Sequence, residues 1–126
     1  MSQTSVMAEQ KRKIENYLKE YSLNRKLLML ERYEGEYFGG GKFSDFDKDM
    51  PSEAPLARAK MFDVRHFILS LDNSDEKIFL YFHYVKGEAV EKCAELLGIS
   101  SRTAFRLKNR ALSLAYIKKF QSNIGG

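Results

Sequence analysis

The segment Ala89 to Leu112, AVEKCAELLGISSRTAFRLKNRAL, restricts the fold more than any other part of the chain. Its glycine, small and apolar positions recur where two steeply crossed helices must meet across a very short turn. Gly98 stands where the turn backbone needs a positive φ. Four residues earlier the two helix backbones approach, and Ala94 supplies the small side chain. Cys93, Leu97, Ile99, Ala104 and Leu107 fall where apolar groups must join the helices to each other and to the preceding one. An ordinary helical hairpin meets some of these requirements; this segment meets all seven.

The exposed positions of the second helix carry the functional expectation. Ser100 is a suitable N-cap, and Ser101, Arg102, Thr103, Phe105, Arg106, Lys108, Asn109 and Arg110 follow it with no carboxylate among them. Arg102 and Arg106, four apart, share a helical face and suit bidentate contact with guanine or a grip on phosphate. Ser101 and Thr103 suit phosphate at the helix N-terminus, and Lys108 and Arg110 suit phosphates further along. Phe105 fits either a thymine methyl or a partly buried place under the motif. Beyond these, Ala111, Leu112, Leu114, Ala115, Ile117 and Phe120 continue an apolar stripe, so the far half of the helix is expected to pack on the body of the domain or a second subunit.

The rest of the chain reads as helical. Met7 to Tyr33 contains no Gly or Pro and spaces Ile14, Tyr17, Leu18, Tyr21, Leu27, Leu28 and Leu30 at three- and four-residue intervals. That predicts a long amphipathic helix within an N-terminal arm of residues 1–34, its charged side either simply solvated or basic for a purpose. Its apolar stripe invites pairing between subunits. Residues 35–56, with Gly39, Gly40, Gly41, Pro51 and Pro55, read as a loop or linker, acidic through Asp45, Asp47, Asp49 and Glu53. Tyr37, Phe38, Phe43 and Phe46 in it are suited to pinning the loop onto the core. Residues 57–126 are then expected to form a DNA-binding domain, with the helix-turn-helix at 89–112. Within it Ala57 to Leu71 predicts a helix with Met61, Val64, Phe67, Ile68 and Leu71 inward. Asn73 and Glu76 suit a capping box for a helix from Ser74 to Lys86 that presents Ile78, Phe79, Phe82 and Val85 and stops at Gly87. With no alternating strand pattern, the expected fold is all-α with about five helices.

Composition bounds the function. At 126 residues, 44% hydrophobic and 30% charged, the chain suits one globular domain with an appended arm. No apolar run nears the roughly 18 residues of a membrane helix. The start, MSQTSVMAEQKRK, lacks a secretory pattern and Cys93 is the lone cysteine, so a cytoplasmic location without disulfides is expected. The net charge of +4 is uneven: Ile99 to Gly126 holds Arg102, Arg106, Lys108, Arg110, Lys118 and Lys119 and no acidic residue, which suits a polyanion.

Ser74 to Leu114, with a helix ending in YVKG, then AVEKCAELLGIS and SRTAFRLKNRALSLA, resembles region 4 of sigma-70 type factors. Within that class it looks most like the sigma-like regulators of phages and prophages, the ArpU and RinA type late-gene activators. The resemblance covers about a third of the chain. It implies sequence-specific promoter binding by the second helix of the motif and contact with RNA polymerase. An activator is implied and not a stand-alone sigma factor, because no part of the chain is left to melt the −10 element.

Other constellations fail on chemistry. GGGKF at Gly39 to Phe43 has Glu36 where a phosphate loop needs its first glycine and Phe43 where it needs Ser or Thr. Asp45, Asp47 and Asp49 open like a calcium loop, yet Met50 replaces its glycine and Leu56 its last glutamate. His66, His83 and Cys93 are too scattered for zinc. No nucleophile and base pair stands out, so neither enzyme activity nor a metal or cofactor is expected. His83 beside Tyr81 and Tyr84 is placed either as a surface histidine or near DNA phosphate. The leading expectation is a transcription regulator, an activator of phage or mobile-element genes, binding duplex DNA as a homodimer or higher oligomer. The alternatives are a small terminase-like packaging subunit and a sigma-like module that grips polymerase or another regulator without reading DNA.

Overall fold

Apolar residues at helical spacing build every element of the chain. A computed structural model describes residues 3–37 and 54–121, and the GGGKF run, Phe38, Phe46, Asp45, Asp47, Asp49 and Glu53 lie outside them. Helices α1 (Gln3–Leu18) and α2 (Glu20–Tyr37) follow one another with only Lys19 between. The backbone ladder continues across it, from Lys19 N to Glu15 O at 2.9 Å and from Leu23 N to Lys19 O at 3.1 Å. The expected long helix is therefore present and extends at both ends. Helix α3 (Ala54–Leu69) comes next, then α4 (Ser74–Leu80), which continues through a π-helical turn, Tyr81–Val85. Helix α5 (Val90–Leu97) and helix α6 (Ser101–Tyr116), the latter extended by a second π-turn, Ile117–Gln121, complete the described residues. Among the described residues, with α1 and α2 taken as one rod, the fold is all-helical with five helices and no strand.

Helix α6 is the centre of the molecule: α1, α4 and α5 all pack on it, while α2 lies along α3. One core unites them, with Ile14, Leu18, Val64, Ile68, Phe79, Leu80, Cys93, Ala104, Ala111 and Ala115 fully or almost fully buried. The alanines of α6 let neighbouring backbones come close, which a bulkier side chain would prevent. The apolar stripe of the N-terminal rod divides at Lys19. Ile14 and Leu18 enter the core, whereas Leu23, Leu27 and Leu30 remain 59%, 40% and 56% exposed.

Three local expectations are corrected. Helix α3 begins at Ala54, not Ala57, and takes Pro55 into its first turn, where a missing N–H leaves no intrahelical bond unmade. Asn73 has the extended backbone of an N-cap, but its side chain makes no cap bond, so no capping box forms. Glu76 instead turns inward to an arginine of α6, a stronger partner than a neutral amide N–H. Ile78 faces out at 37% exposure, while Leu80 and Tyr84 take buried places beside Phe79 and Val85. A regular helix would return the face of Glu76 and Leu80 near residue 83, at about 3.6 residues per turn. The wider π-turn, closed by Lys86 N to Tyr81 O at 3.1 Å, delays that return to Tyr84 and Val85.

Candidate nucleic-acid interface

The turn between α5 and α6 has the geometry its sequence predicts. Gly98 has φ 69° and ψ 34°, the left-handed region that a Cβ disfavours. Its N–H donates to Glu95 O at 3.1 Å, and Ile99 N–H donates to Ala94 O at 3.0 Å, the pair of bonds that satisfies the last carbonyls of a helix. Only two residues then separate Gly98 from α6, so the two axes must diverge steeply. A Cβ on Gly98 would meet nothing within 4 Å, so only backbone strain opposes substitution. Gly98→Ala should therefore lower unfolding free energy by about 1 kcal/mol, and Gly98→Val by more, with Gly98→Asn least affected. Urea titration of the three variants checks that order.

Ser100 caps α6 as expected: its Oγ accepts from Thr103 N at 3.1 Å and donates to Thr103 Oγ1 at 2.9 Å. Those two hydroxyls hold the helix start, and Ser101 stands free of that exchange. Along the helix, Ala104, Leu107, Ala111, Leu112 and Ala115 form the buried side. Arg102, Phe105, Arg106 and Asn109 recur at three- and four-residue spacing on the opposite side and are all exposed. Phe105 is 46% exposed and stands outside the core cluster, which resolves its two readings in favour of the outer face.

The basic residues of the C-terminal quarter separate into two sets. Lys108 Nζ lies 3.6 Å from Glu15 Oε2 of α1. Arg110 Nε donates to Glu76 Oε2 of α4 at 2.6 Å. Lys118 Nζ donates to Ser70 O at 2.6 Å, and Lys119 lies 3.9 Å from Asp63 and 4.3 Å from the centre of the Tyr17 ring. These four cations fasten α6 and its extension to the rest of the fold. Arg102 and Arg106 alone of the six have no hydrogen-bond or ion-pair partner among the described residues. The site residues named from the sequence therefore fall into an outward group (Ser101, Arg102, Phe105, Arg106, Asn109), a capping pair (Ser100, Thr103) and two braces (Lys108, Arg110).

Sequence reasoning missed the role of Glu15 and gave Glu76 a capping role in place of its ion pair. Tyr84 donates its hydroxyl to Glu15 Oε2 at 2.5 Å, so Glu15 ties α1, α4 and α6 together at one carboxylate. Burial pushes its carboxyl upward, but the Tyr84 hydroxyl and Lys108 ammonium more than offset that and hold it below the ordinary value. Glu76 is only 7% exposed and takes its charge partner from 34 residues away. No local pattern signals either contact, because both partners arrive through the tertiary fold. His83 has a structural post: half-buried, it donates Nδ1–H to Glu88 O at 2.7 Å and so spans the turn into α5. Burial lowers its pKa, outweighing the opposite pull of the bond to the Glu88 carbonyl, which favours the protonated ring. Burial likewise raises the thiol pKa of Cys93, which is fully enclosed as a packing residue. Among the described residues, no three His, Cys, Asp or Glu side chains converge to hold a metal ion, and no helix is long and apolar enough to cross a membrane. No protein-family model, curated protein or solved structure matches the chain.

Proposed function

We propose that the protein is a sequence-specific DNA-binding transcription regulator, an activator of phage or mobile-element genes, that reads duplex DNA with the outer face of α6. The observation carrying this reading is the division of charge on that helix. Lys108 and Arg110 are each paired with a carboxylate from another helix, and the two that remain free, Arg102 and Arg106, lie four apart on the exposed side of a helix mounted by a short glycine turn. Such a helix suits entry into the major groove, with Arg102 and Arg106 as base readers, Asn109 suited to adenine, and Ser101 at the phosphate-binding start. The resemblance to sigma-70 region 4 supports a promoter as the site and adds RNA polymerase as a proposed partner. The spacing of the exposed residues Leu23, Leu27 and Leu30 supports a dimer or higher oligomer.

Selection of bound duplexes from random DNA tests the reading directly. A recurring site, with affinity falling steeply as salt rises, is expected. Salt-insensitive or absent duplex binding would leave the polymerase-gripping module in its place. Enrichment of a packaging site by a ring-shaped assembly would favour the terminase-like alternative.

A further inference from the structure

A second cationic surface, to which α6 contributes no residue, lies along the seam of α2 and α3. Tyr21, Arg25, Arg65, Tyr81 and Lys86 line a cleft of about 420 Å³ there. Through Tyr21 and Arg65 it continues into a smaller cleft of about 220 Å³ lined also by Arg58 and the apolar Leu28, Met61 and Phe62. No carboxylate lines either one among the described residues. Arg25, Arg58 and Arg65 are exposed and have no ion-pair partner among the described residues. The Lys86 ammonium sits 5.7 Å from the centre of the Tyr81 ring, held by an aromatic face and not by an acid.

We infer that this channel is a second nucleic-acid contact, one that grips backbone phosphates without reading bases. The shape argues for a linear polyanion over a small one: the cations are strung along a seam and do not converge on a pocket. Arg58 and Arg65 are seven residues apart on α3, so their Cα atoms are separated by roughly 10 Å along the helix axis. One nucleic-acid strand presents a phosphate about every 3.4 Å of duplex axis, so that span matches about three phosphates. Three of the four cations are arginines, whose planar fork suits phosphate oxygens. The surface is open and all its cations are solvated, which suits sequence-independent holding and offers no means of reading base edges. The inference extends the duplex reading above but stands on different residues, so either can fail alone.

Salt titration of the full chain with a short mixed-sequence duplex tests it. Arg58→Gln with Arg65→Gln should make the slope of log affinity against log salt shallower by about 1.8, at about 0.9 per phosphate contact. Between 50 and 200 mM salt the unaltered protein should then lose about tenfold more affinity than this variant. Arg58→Lys with Arg65→Lys, which keeps the charge, should retain the original slope, and a helical circular dichroism spectrum shared by all three proteins excludes unfolding as the cause. An Arg102→Ala, Arg106→Ala protein should still lose slope when Arg58 and Arg65 are neutralised, which separates the channel from the recognition helix. An unchanged slope in the glutamine variant overturns the inference. So does binding of poly-glutamate that this variant abolishes while duplex binding stays intact, since the channel would then hold an acidic protein segment.

Discussion

Replacing Arg102 and Arg106 together with alanine should erase the preference for one DNA sequence while leaving a folded protein. Both side chains are exposed and neither supports another residue, so their loss removes ligand contacts and little else. Each bidentate arginine to guanine contact contributes about 1 to 3 kcal/mol of discrimination, so the double change should narrow the gap between preferred and random duplex by about 2 to 6 kcal/mol. Competition binding with the two duplexes at one fixed salt concentration measures that gap directly. Lys108→Ala is the informative contrast. Its ammonium braces Glu15, so its loss should appear as reduced stability and not as altered preference. Full discrimination retained by the Arg102, Arg106 double variant would sink the recognition-helix reading, and a loss of preference in Lys108→Ala alone would move the reading surface.

The second large effect concerns the N-terminal rod. Ile14 and Leu18 have no exposed surface and share one core with α4, α5 and α6. Ile14→Ala and Leu18→Ala should each cost about 2 to 5 kcal/mol in urea denaturation. A domain of ordinary stability has only about 5 to 15 kcal/mol in total, so the pair together should leave little folded protein. Removal of residues 1–34 uncovers the α1 side of α6 and deletes Glu15, the partner of Lys108 and Tyr84. The remainder should lose its cooperative unfolding transition. Leu23→Ser, on the exposed part of the same rod, should change monomer stability by no more than about 0.5 kcal/mol. A stable, helical fragment without residues 1–34 would show that α1 is an attachment to the domain and not part of its core.

How much of this was legible in sequence depends on the range of the interaction concerned. The turn at Gly98, the cap at Ser100 and the buried face of α6 are local matters of backbone conformation and 3.6-residue periodicity, and the residues that specify them are adjacent. The capping box at Asn73 and Glu76 was legible and did not form, because the Arg110 guanidinium of α6 outcompetes a local amide for the buried Glu76 carboxylate. The inward place of Tyr84 was not legible either, since a π-turn shifts register without a periodic signature of its own.

The basic C-terminal quarter shows the same boundary at the level of function. Its composition, six cations and no acid, is a property of the sequence alone, and so are the helical class of the chain and the spacing of Arg102 and Arg106 on one face. Which cations are spent inside the molecule was decided only by the tertiary structure. It brings Glu15, Asp63, Glu76 and the Ser70 carbonyl against α6 and its extension from distant parts of the chain. Periodicity can assign a side chain to a face, but a charge becomes available or neutralised only when packing sets its neighbours within a few ångströms.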